Sequence, residues 1–174
     1  MDAILESIKN RLANEAPTLK WIDEDWGQLD SYDPNLPVKF PCALMDVVQI
    51  IWSNTARGGQ LGTATFKIRV ADLKLSNSAQ KAPALQRQKA ASIWPLIKEV
   101  FKALQAWCPA AGCSSLIRTV TRRVRRDDGI LLYEMEFTAQ VTDNSARQDP
   151  PASATGLKVD IAMATIDLPP TIRP

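Results

Sequence analysis

The chain has 174 residues, 45% hydrophobic and 23% charged, and its 21 Lys and Arg against 19 Asp and Glu leave a formal net charge of +2. That size suits one ordinary globular core, and the near balance of charge excludes both a disordered polyelectrolyte and a globally basic nucleic-acid coat. There is no histidine, which removes Ser-His-Asp and Cys-His catalysis, imidazole metal sites and the usual general base near neutral pH.

The N-terminal segment places Ile4, Leu5, Ile8 and Leu12 at helical spacing over residues 2–15, with Pro17 as a stop. It is amphipathic and acidic near its start, with no small-residue cleavage site, which points to synthesis in the cytoplasm. No apolar run approaches the roughly 18 residues that cross a bilayer, so no membrane association is expected. Next, "KWIDEDWGQLDSYDPNLP" sets Trp21 and Trp26 among Asp23, Glu24, Asp25, Asp30 and Asp33, and its Pro, Gly, Asn and Asp content reads as mostly loop.

Residues 40–52, "FPCALMDVVQIIW", alternate at period two, with Phe40, Cys42, Leu44, Val48, Ile50 and Trp52 on one face. Val47 and Ile51 make the other face apolar too, so this strand is expected to be covered on both sides. "SNTARGGQLG" is a flexible connection, and "TATFKIRV" then alternates Ala64, Phe66, Ile68 and Val70 inward against Thr63, Thr65, Lys67 and Arg69 outward. Together they predict a long-loop β-hairpin. The main helical region follows, with a stripe of Ile93, Ile97, Val100, Phe101 and Leu104. Pro95 inside that pattern predicts a kink or two abutting helices.

"CPAAGCS" reads as a turn, and residues 116–126 as a β-branched, arginine-rich strand. "DDG" is a hairpin signal, and "ILLYEMEFTAQV" shows the clearest alternation in the chain: Leu131, Tyr133, Met135, Phe137, Ala139 and Val141 are apolar, while Glu134, Glu136, Thr138 and Gln140 face water. Residues 143–156 have the composition of an exposed linker or loop. Residues 157–168, "LKVDIAMATIDL", read as a last strand that completes the sheet or docks on a neighbour, and residues 169–174 as a tail. The order of elements predicts an α+β fold, with a mostly antiparallel sheet, long hairpins and helices packed on one face. Residues 1–142 form its single domain.

The candidate chemistry is sparse. The carboxylates of residues 21–33 lack the spacing of a calcium loop, "RGGQLG" lies between two strands rather than before a helix, and Cys42, Cys108 and Cys113 match no zinc pattern and read as free thiols. No catalytic residue, metal or cofactor is expected. The distinctive feature is "IRTVTRRVRRDDG", with five arginines between Arg118 and Arg126. Paired with the following strand, one register sets Arg118, Arg122 and Arg126 opposite its apolar face, and the other sets Arg123 and Arg125 there. An unpaired buried guanidinium costs several kcal/mol. Three readings follow: a solvated face with snorkelling stems, a contact with acidic loops of another subunit, or a phosphate-binding, nucleic-acid-binding ribbon.

The short N-terminal helix, the acidic Trp-containing segment, "PVKFPCAL" leading into a long hairpin, the central helix and "RVRRDDGILLYEMEF" together resemble the tail terminator, or tail completion, proteins of long-tailed bacteriophages and prophages. The resemblance covers most of residues 1–142 and rests on the order and spacing of elements. It implies a non-enzymatic virion protein of the tail or head-tail junction, forming a ring, commonly a hexamer, that caps the head-proximal end of the tail tube and meets the head connector. Its partners would be its own copies, the tube protein and the connector; another neck role and DNA binding are the alternatives. A ring needs two unlike surfaces, and the residues proposed to supply them are Asp23, Glu24, Asp25, Asp30 and Asp33 on one side, with Arg118, Arg122, Arg123, Arg125 and Arg126 on the other.

Overall fold

A computed structural model describes residues 1–30, 38–73, 79–90 and 93–147. The expected strand over residues 157–168, its tail, most of the linker before it, and Asp33 lie outside the described residues.

Helix α1 (Asp2–Glu15) buries Ile8 and Leu12 from its apolar stripe. The short strand β1 (Trp21–Glu24) comes next, then β2 (Cys42–Asn54) and β3 (Gln60–Leu73). Helices α2 (Ala84–Ala90) and α3 (Ile93–Leu104) precede β4 (Ile117–Val124) and β5 (Ile130–Asp143). Pro95 sits in the first turn of α3, where its missing N–H is no loss, so the two-helix form of the expectation holds.

The strands form one sheet in the order β1-β2-β3-β5-β4, antiparallel except for β1 alongside β2. This is the expected α+β arrangement. On the first face α1 and α3 pack over Ala43, Met45, Phe66, Ile68, Met135 and Phe137, which form the main core. A smaller cluster on the second face joins Leu29, Val38, Cys42, Leu44, Ala71, Ile130 and Leu132.

Four expectations need correction. The acidic segment is not mostly loop at its start: Trp21–Glu24 pairs in parallel with Cys42 to Met45, because Lys20 N–H and Asp25 N–H donate to Pro41 O and Met45 O and fix both ends of the strand. The alternation of β2 does not persist, since a bulge between Val47 and Gln49 moves Ile50 and Trp52 onto the helix-covered face and Ile51 onto the other. The hairpin loop is short, because pairing continues to Asn54 opposite Gln60. At Gly62 a side chain would collide with Ile50 and Trp52, whose atoms lie 2.7 Å from where its Cβ would be, so these side chains close over the strand. Finally, the second face of β5 is not uniformly wet: Glu134 is only 6% exposed.

Candidate interaction surface

The register places one residue from each of four strands in a row across the second face: Leu44, Arg69, Glu134 and Arg122. Arg69 Nε donates to Glu134 Oε1 at 3.2 Å, and Arg122 Nε donates to Glu134 Oε2 at 2.7 Å. Arg122 Nη1 also reaches Glu136 Oε1 at 3.3 Å. One carboxylate thus bridges two guanidiniums. Burial acts to raise the Glu134 pKa, but the hydrogen bonds from Arg122 and Arg69 outweigh it and hold the group below its ordinary 4.5.

The turn after β1 folds onto this row. Gly27 takes a positive φ of 92°, Asp30 N–H donates to Gly27 O, and the buried Gln28 amide is satisfied by Trp26 N–H and Glu24 O. That geometry carries Asp25 and Asp30 to Arg69 Nη1, at 3.2 and 2.8 Å. Arg126 completes the clamp by donating to Leu29 O and pairing with Asp128, whose pKa its hydrogen bond lowers.

The arginine ribbon is therefore divided. Pairing follows the register that sets Arg123 opposite Tyr133, until a bulge between Arg118 and Val120 switches it and places Arg118 opposite Phe137. The guanidinium of Arg118 lies 3.8 Å from the centre of the Phe101 ring, and its backbone N–H donates to Gln105 Oε1. Arg122 and Arg126 have the partners above. Arg123 and Arg125 are exposed and make no ion pair among the described residues.

The acidic residues divide as well. Asp25 and Asp30 belong to the Arg69 network, whereas Asp23 and Glu24 stand on β1, where Glu24 pairs with Lys9 at 3.2 Å. Since β1 and β4 are the two edges of the sheet among the described residues, Asp23 and Glu24 lie four strand spacings from Arg123, about 19 Å. The chain thus presents an acidic edge and a basic edge on opposite sides. Sequence reasoning had Arg69 and Glu134 as outward residues but did not join them. β3 and β5 meet across a long stretch of sequence, and no turn sets their register.

The cysteines are free. Burial pushes the Cys42 thiol up to about 12 and, with a smaller contribution from Cys108, that of Cys113 to about 11, which keeps both protonated at neutral pH.

No protein-family model matches the chain, and no curated protein matches it either. The fold is one found in a virion. A chain in the solved structure "Virion of native gene transfer agent (GTA) particle" matches with a TM-score of 0.51 and 14% identity, over 80% of this chain and 94% of that one. At that identity the likeness is one of fold.

Proposed function

We propose that this protein is a non-enzymatic structural component of a phage-like or prophage virion, acting as a tail terminator at the head-tail junction. Its copies form a ring, a hexamer in this reading, that caps the head-proximal end of the tail tube and offers its other surface to the head connector. The observation that carries the reading is the match to a chain of the gene transfer agent virion over nearly the whole of that chain. The order of elements in the sequence supports the finer assignment to the tail terminator.

The two charged edges supply the physical means. A ring closes through a heterologous contact, in which one surface of a subunit meets a different surface of the next. Asp23 and Glu24 on β1 and the exposed Arg123 and Arg125 beside and beyond β4 are such surfaces, and they lie on opposite edges of one sheet. The other arginines of the ribbon serve the subunit's own fold.

Size-exclusion chromatography with light scattering tests the reading. The full chain should elute as a closed oligomer of fixed subunit number, and Arg123→Glu with Arg125→Glu should shift it to monomers. A monomeric wild-type chain across the accessible concentrations would sink the ring.

A further inference from the structure

The turn that joins α3 to β4 holds two of the chain's three cysteines. Cys108 is exposed and Cys113 is buried. The backbone between them is closed by a hydrogen bond from Cys113 N–H to Ala110 O, and Gly112 reverses it at a positive φ of 79°. The two arms of the turn are clasped just outside the cysteines, where Ala106 N–H donates to Leu116 O and Leu116 N–H to Trp107 O. The turn is also tied to both layers of the fold. Ser7 Oγ of α1 donates to Pro109 O at 2.6 Å, Thr142 N–H of β5 donates to Gly112 O, and Ser114 N–H donates to Gln140 O.

We infer that Cys108 and Cys113 are a reversible redox pair, which closes to a disulfide within one chain by exchange with a small-molecule disulfide such as oxidised glutathione. The first support is contact. Cys108 S–H donates to Cys113 O at 2.9 Å, so the first sulfur touches a carbonyl oxygen two bonds from the Cα that bears the second thiol. Cys113 S–H rests on the next carbonyl, Ser114 O, at 3.3 Å. Both sulfurs are thus parked on one short turn whose backbone is pinned by its neighbours, and the chain entropy of bringing them together is spent in folding. The thiols also sense each other: after burial, Cys108 is the second cause of the raised Cys113 pKa.

Exposure sets the order of events. The Cys108 thiolate attacks one sulfur of the small disulfide, which leaves a mixed disulfide on Cys108 and expels one glutathione thiolate. The Cys113 thiolate then attacks Cys108 Sγ, the bond between the two Sγ atoms forms, and the second glutathione departs. The cysteines give up two electrons and two protons, and the oxidised glutathione takes up both to become two thiols. Burial, which holds the Cys113 thiol at about 11, keeps it from acting first. Its position beside the mixed disulfide supplies the second step, since a neighbouring group reacts as if at very high concentration. Cys42 takes no part, because it lies in the core of the second face. The closed bond would fix the passage from the helix layer to the β4 edge, because the turn's own hydrogen bonds run to α1 on one side and β5 on the other.

Thiol mapping of the full chain tests this. The reduced protein is equilibrated in native buffer with oxidised and reduced glutathione, quenched in acid, alkylated in denaturant and digested with trypsin; one peptide, residues 103–118, carries both cysteines. That peptide should become lighter by two hydrogens and take no alkyl group, while Cys42 is alkylated in full. In Cys113→Ser the reaction should stop with glutathione on Cys108. In urea, at the same glutathione ratio, the proportion of disulfide to dithiol should fall by about tenfold, because a bond that the fold favours is favoured less without it. Alkylation of both cysteines at the most oxidising ratio, glutathione retained on Cys108 of the wild type, a bond between copies, or equal proportions in the folded and unfolded chain would each overturn the inference. None of these results depends on ring formation.

Discussion

Glu134 is the residue whose surroundings say most about how this sequence tolerates its charge. It is buried between Arg69 and Arg122, and Arg69 itself is held by Asp25 and Asp30. Removing one member of a buried, hydrogen-bonded charge set leaves the others desolvated without compensation, which costs far more than a surface pair is worth. Arg69→Ala should therefore lower the unfolding free energy by about 3 kcal/mol in a urea titration. Arg122→Ala, at the exposed end of the same row, should cost clearly less; equal losses would remove Arg69 from its central place. The pH dependence follows from the same geometry. The folded pKa of Glu134 lies below its ordinary 4.5, so its contribution is complete above about pH 4.5 and is lost as pH falls through the folded value. Acid titration of Glu134→Gln should show a flatter decline in stability below pH 4.5 than the wild type, and an unchanged slope would assign the acid limb to other groups.

At the scale of elements, the strands with strict alternation were legible. β3 and β5 have their apolar sets on the helix-covered face as the period of two requires. The stripe on α3 was legible too, and so was the break before it that Pro95 marks. What failed were features decided by tertiary pairing. Strand β1 looks like loop because only four residues pair and none is strongly β-forming beyond Trp21 and Ile22. The bulges at Val47/Gln49 and Arg118/Val120 leave no local mark, yet each turns the rest of its strand over. The arginine ribbon is legible as a feature, with solvent, another subunit and phosphate as its possible partners, but the contact of Arg122 with Glu134 is not, because the bulge-shifted β4–β5 register that sets them opposite each other cannot be read from either strand alone. Gly62 belongs at this scale as well. Gly62→Ala drives a methyl into Ile50 and Trp52, and should destabilise the hairpin by roughly 1–3 kcal/mol as overpacking does, measured by thermal unfolding. A neutral effect would mean that the Trp52 ring moves aside freely.

At the scale of the whole molecule, the described residues form a sheet with one face under helices, a second face clamped at one end by an ionic network, and two edges of opposite charge. The network takes Arg69, Glu134, Asp25, Asp30 and, from β4, Arg122, and Glu24 pairs with Lys9; Asp23, Arg123 and Arg125 make no ion pair among the described residues and are free for contacts outside the subunit. That division sharpens the assembly prediction: reversing Arg123 and Arg125 should abolish the oligomer while leaving the unfolding transition nearly unchanged, since neither arginine makes an ion pair among the described residues. Steep salt-dependent binding of DNA by the isolated protein would instead favour the ribbon as a phosphate contact. The most direct measurement is a negative-stain image of the purified full chain. Closed rings of uniform diameter with a central opening are expected; a field of small compact particles, or open filaments, would rule out the ring.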